Sequence, residues 1–141
     1  MIEDVIESQQ SLVQTLISMV EATWEHIVCN VEIKPLDDEE IYVDCLALVI
    51  YSRDGVLSTE PVRLNSAMTS DFGAIRRAMM TDDSNRNWTG FELRIDRPDR
   101  FAFDFNYDPP KRVEGLHDNQ SYFRFDTYLD DYKKRLAATA S

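Results

Sequence analysis

The period of hydrophobic and polar positions changes several times along the chain, and each change marks an element. Over roughly residues 3–23, Val5, Ile6, Leu12, Val13, Leu16, Ile17 and Val20 recur at helical spacing, with Glu3, Asp4 and Glu7 near the start. Acids there suit the positive end of a helix dipole, so the stretch predicts an amphipathic helix, with Trp24 closing it onto a sheet. Ile27, Cys29, Val31 and Ile33 then alternate with His26, Val28, Asn30 and Glu32, the period-two pattern of a first strand. Pro35 to Glu39 reads as a turn and Glu40 to Ser52 as a long second strand. Its Cys45–Tyr51 portion is apolar on both faces, which predicts a central, covered position. Asp54-Gly55 is a strong hairpin-turn dipeptide. It leads into a third strand over about Val56–Leu64, where Pro61 points to an edge or a bulge.

A second helix fits about Ser66 to Met80, since Met68, Phe72, Ile75 and Met79 share one face; a methionine-rich face of this kind is expected to fill core. Residues 81–87 read as a polar loop, followed by two alternating runs. Thr89, Phe91, Leu93 and Ile95 alternate with Gly90, Glu92, Arg94 and Asp96, and Phe101, Phe103, Phe105 and Tyr107 with Ala102, Asp104, Asn106 and Asp108. With Arg97-Pro98-Asp99 as the loop, Phe91 faces Phe105, Leu93 faces Phe103 and Ile95 faces Phe101. A one-residue slip would turn every side chain over, so this register is the expected one. Trp88, Phe91, Leu93, Phe103 and Phe105 should then be buried against the first or last helix. The same register sets Glu92 opposite Asp104 on the solvent face, with Asp96 and Asp108 nearby, and directly opposed like charges cost stability. After a loop over 109–120, a last helix covers about Tyr122 to Ala138, with Phe125, Leu129, Tyr132 and Leu136 as its apolar stripe. The order α-β-β-β-α-β-β-α predicts an α+β fold, an antiparallel sheet of about five strands with helices packed on it.

At 141 residues the chain is read as a single domain, residues 1–141, and its 43% hydrophobic content argues against disorder. No apolar run is long enough to cross a membrane as a helix, and Met1-Ile2-Glu3-Asp4 is the reverse of a basic signal-peptide start. The expectation is a cytoplasmic protein with no membrane partner. Cys29 and Cys45 lie in strand-like apolar surroundings and read as small buried thiols; a disulfide or metal pair is the minor alternative. The net charge of −11 is unevenly spread: residues 1–50 hold eleven acids and one base, Lys34, whereas residues 51–141 hold fifteen acids and fourteen bases. Direct nucleic-acid binding needs the opposite sign. A basic protein is the natural partner of such a field, with plain solubility as the simpler explanation.

Candidate chemistry is sparse. His26 and His117 read as surface or rim residues, with no Ser or Cys at nucleophile spacing. Asp37-Asp38-Glu39-Glu40 lacks the alternating carboxylates and central Gly of a calcium loop, and it reads as a solvated turn. The outward acids Glu92, Asp96, Asp104 and Asp108 lack the enclosure and supporting hydrogen bonds of a metal site. Four glycines form no phosphate loop. No catalytic residue, metal ligand or cofactor is assigned.

An N-terminal helix ending near Trp24, the pair Trp88-Thr89, and a hairpin ending in the alternating aromatics of Phe101–Asp108 together resemble the YezG-like antitoxin family, immunity proteins of bacterial polymorphic-toxin systems. The turn Arg97-Pro98-Asp99-Arg100 stands where that pattern has a glycine. The resemblance spans most of the chain and implies a protein that binds and neutralises a cognate toxin, often a nuclease, with no catalytic residues to carry over. Combined with the charge, it points to Glu3, Asp4, Glu7, Asp37, Asp38, Glu39 and Glu40 as toxin-binding candidates, together with the Glu92, Asp104 and Asp108 face. An acidic adaptor or chaperone for a secreted effector is the alternative, a small metal-dependent enzyme a more distant one, and a homodimer stays open.

Overall fold

The structure, a computed structural model, describes residues 2–35, 41–63, 65–79, 88–107 and 127–140. The expected fold is present: α1 (Ile2–Ser18), β1 (Trp24–Pro35), β2 (Ile41–Arg53), β3 (Val56–Pro61), α2 (Ser66–Met79), β4 (Gly90–Asp96), β5 (Arg100–Asn106) and α3 (Tyr128–Ala140). The five strands form one antiparallel sheet in the order β3-β2-β1-β4-β5. Pro61 sits on edge strand β3, where its missing N–H costs no ladder bond. β2 is interior and covered on both faces, with Ala47, Val49 and Tyr51 in one core and Ile50 in the other. At the β2–β3 turn Asp54 and Gly55 take φ of 53° and 79°, the two positive values a type I′ turn requires.

The main core lies on the face carrying Ile27, Cys29, Val31, Ile33, Phe91, Leu93 and Ile95, beneath Leu12, Val13 and Leu16 of α1 and Met68, Phe72 and Ile75 of α2. Asp71 of α2 ties the two helices together, since its carboxylate oxygens accept from Ser11 Oγ and Thr15 Oγ1, both at 2.7 Å. Asn65 caps α2 by accepting the Met68 N–H at 2.9 Å. The hairpin register is the expected one, Phe91 against Phe105, Leu93 against Phe103 and Ile95 against Phe101. The rings of Phe72, Trp88, Phe103 and Phe105 surround Phe91 at centroid distances of 5.3–5.8 Å. Of the two helices expected over this core the first is there, joined by α2 and not by the last helix, and on edge strand β5 Phe103 and Phe105 are only half-buried. Cys29 and Cys45 form no disulfide, their sulfurs lying 3.6 Å apart; Cys29 is buried as expected and Cys45 half-buried.

Three expectations are corrected. Trp24 opens β1 rather than closing the helix: α1 ends at Ser18, and a short link follows. The second sheet face is not simply solvent-facing, because α3 covers part of it with a smaller core of Val28, Ile50, Tyr128 and Tyr132. The stripe of α3 is therefore centred on Tyr128 and Tyr132, while Leu136 is exposed and Phe125 lies outside the described residues. The non-glycine turn after β4 also has a structural role. Arg97 donates from Nη1 to the carbonyls of Ala22 and Trp24, both at 2.6 Å, and its guanidinium lies over the Trp24 ring. The turn is thus stapled to the link between α1 and β1.

Candidate functional site

The second face brings together polar residues far apart in sequence. β1 and β4 pair His26 with Asp96 and Val28 with Arg94; β4 and β5 pair Asp96 with Arg100 and Arg94 with Ala102. Even-numbered residues of these strands therefore share this face. α3 crosses it with Tyr128, Tyr132, Arg135 and Leu136, and a cleft of about 370 Å³ opens between α3 and the β4–β5 hairpin. Arg94, Arg100, Arg135, His26 and Asp96 line it together with Ala102, Tyr132 and Leu136.

His26, expected as a surface or rim residue, is instead 2% exposed. Both ring nitrogens are held, Nδ1 at 2.8 Å from Asp96 Oδ1 and Nε2 at 2.8 Å from the Tyr128 hydroxyl. A carboxylate can only accept, so Nδ1–H donates to Asp96 and, in the neutral ring, Nε2 accepts from the tyrosine O–H. Tyr128 and Tyr132 also pack on the imidazole, with ring centroids 5.7 and 4.9 Å away. Burial pushes the His26 pKa below its ordinary 6.5, outweighing the hydrogen bond and charge of Asp96, and Arg135 and Arg94 act in the same downward direction. The Tyr132 phenol is shifted upward by burial and by the nearby carboxylates of Asp96 and Glu25. Tyr128 is itself buried, so the chain from Asp96 through His26 to Tyr128 ends in packing and locks α3 to the sheet. Sequence reading missed it because the two partners of this buried bond are 102 residues apart.

The acidic candidates fall on separate surfaces. Asp4 and Glu7 are exposed on α1, over the first face, and Glu3 precedes them on the same helix. Asp37, Asp38, Glu39, Glu40 and Asp108 lie outside the described residues. Glu92 and Asp104 are paired across the hairpin on the second face, so they form no continuous patch with α1. Glu92 was expected to face water but is only 6% exposed. Its opposition to Asp104 is also bridged: Arg94 lies 3.5 Å from Glu92 and 2.8 Å from Asp104. The juxtaposition is therefore compensated within the fold and gives no separate reason for a negative surface there. Among the described residues no group of three imidazole, thiol or carboxylate side chains converges to hold a metal ion, and no helix is long and apolar enough to cross a membrane. No protein-family model matches the chain, and no curated protein matches it.

Proposed function

We propose that this chain is a non-catalytic binding protein, an immunity factor that neutralises a cognate basic toxin of nuclease type by covering its substrate cleft. The observation that carries this reading is the eleven-to-one excess of acids over bases in residues 1–50, with Asp4 and Glu7 exposed on α1. Packing does not require those charges, because α1 is held to the core by Leu12, Val13 and Leu16. Carboxylates would stand in for the phosphates of the toxin's substrate, and the field would speed encounter more than it deepens affinity. The resemblance to YezG-like antitoxins, through Trp24, Trp88-Thr89 and the aromatic β5 strand, supports the same reading, as does an expected cytoplasmic location.

The test is expression of the adjacent gene's product alone and together with this chain, followed by binding kinetics of the purified pair. Toxicity should be relieved by co-expression, and association should slow steeply as salt rises. Replacing Asp4 and Glu7 by lysine should slow association more than the same change at Asp130 and Asp131, which are exposed on α3. Equal effects of the two double variants, or association indifferent to salt, would assign the acids to solubility.

A further inference from the structure

The cleft beneath α3 has the opposite electrostatic character to the chain around it. We propose that it is a binding site for a small organic anion, a carboxylate or phosphate ester carrying a flat apolar body. Three arginines of a chain with net charge −11 line this one cleft, whose 370 Å³ falls at the small end of ligand-sized sites. Their roles differ. Arg94 is committed to Glu92 and Asp104. Arg135 lies over the rings of Tyr128 and Tyr132, at 5.5 and 5.8 Å. Arg100 stands on exposed edge strand β5. Arg100 thus supplies the anion-recognising donors, and Arg135 adds positive charge from α3.

The rest of the lining selects more than charge. Ala102 and Leu136 are exposed and Tyr132 forms part of the wall, so a bare ion would leave this apolar surface in water, whereas a flat hydrocarbon body would cover it. The floor is rigid, since buried His26 is held at both nitrogens. Asp96, half-exposed, is bonded to His26 and stands across the hairpin from Arg100, so an acidic group meets the arginines on the side away from that carboxylate. The ligand therefore lies with its acid at the arginines and its body along α3. This site is on the opposite sheet face from the acidic helix α1 and does not depend on the partner proposed above.

The experiment is a titration of the intact protein with 2-naphthoate, followed by amide NMR shifts and calorimetry, with 2-naphthamide and inorganic phosphate as separate probes. Naphthoate should saturate with shifts confined to β4, β5 and α3, and two probes should each bind at least about tenfold more weakly, the neutral amide because it loses a charged hydrogen bond and the bare phosphate because it leaves the apolar wall uncovered. Arg100→Gln should weaken naphthoate by about tenfold and leave the amide unchanged; Leu136→Asp, which removes apolar cover and adds a repelling charge, should abolish binding. Both side chains are exposed, so the fold survives either change. Equal binding of naphthoate and naphthamide, phosphate binding as tight as naphthoate, shifts away from the cleft, no saturation, or an unchanged affinity in Arg100→Gln would overturn the proposal.

Discussion

Gly90 and Gly73 invite the same substitution with opposite expected signs. A Cβ built on Gly90 would lie 2.5 Å from the carbonyl oxygen of Val31 and 3.5 Å from the Glu32 Cα, both backbone atoms of β1. No rotamer change relieves that contact; β1 and β4 must part locally by roughly 1 Å, against a strand spacing of about 4.8 Å. The separation strains the ladder at its start, where Ile33 N–H donates to the Thr89 carbonyl at 2.8 Å. Overpacking of this kind costs about 1–3 kcal/mol, and one weakened ladder bond adds about 1 kcal/mol, so Gly90→Ala should destabilise by about 2–4 kcal/mol. At Gly73, within α2, the nearest atom to an added Cβ is Arg77 Nη1 at 3.1 Å, the far end of a flexible side chain. Alanine there should gain up to about 1 kcal/mol from helix propensity and from the smaller entropy of the unfolded chain. Urea unfolding of both variants with an unchanged m-value decides the matter. A Gly90→Ala midpoint equal to or above the parent would refute the close approach of β4 to β1, and a lowered Gly73→Ala midpoint would show that Arg77 cannot yield to the added methyl.

Two further outcomes follow from burial. Phe91 is almost wholly enclosed and touched by four rings, whereas Phe103 is half-buried on edge strand β5; Phe91→Ala should cost about 3–5 kcal/mol in urea unfolding and Phe103→Ala clearly less, and the reverse order would misplace the core. His26 should titrate below 6.5 in the folded protein. In the window between its folded value and that of the unfolded chain, the unfolded state binds the extra proton, so stability falls as pH drops through the window and is recovered above it. The His26 ring signals followed by NMR, with urea midpoints of the parent and His26→Asn at about pH 5.5 and 7.5, check this; a midpoint above 6.5 would show that Asp96 outweighs burial.

The first sheet face was legible in the sequence because each of its strands carries its own period-two signal. Ile27–Ile33 and Phe91–Ile95 declare their inward sides locally, and once a turn length is chosen the register follows. The second face was not legible. Its even-numbered residues His26, Asn30, Glu32, Glu92 and Asp96 look like a wet surface, and only the return of α3, whose key residue Tyr128 is remote in sequence from His26, converts part of them into core and cleft. Arg94 shows the same limit: the costly Glu92–Asp104 opposition was visible, but not the guanidinium two residues along β4 that settles it.

The two faces consequently divide the molecule's charge. Acids exposed on α1 stand over the first face, and the arginines of the cleft over the second, with a five-stranded sheet between them. Coupling between sites requires that each ligand discriminate between arrangements of a shared element. The sheet core here is packed on both sides, and α3 is tied through Tyr128 and His26 rather than through α1. A basic protein docked on α1 and an organic anion under α3 should therefore bind independently. The expected outcome is an unchanged naphthoate affinity in the presence of saturating partner, measured by calorimetry on the complex. A naphthoate affinity lowered in the complex would mean that the partner reaches around to the arginine cleft, and it would move the interface from α1 to the second face.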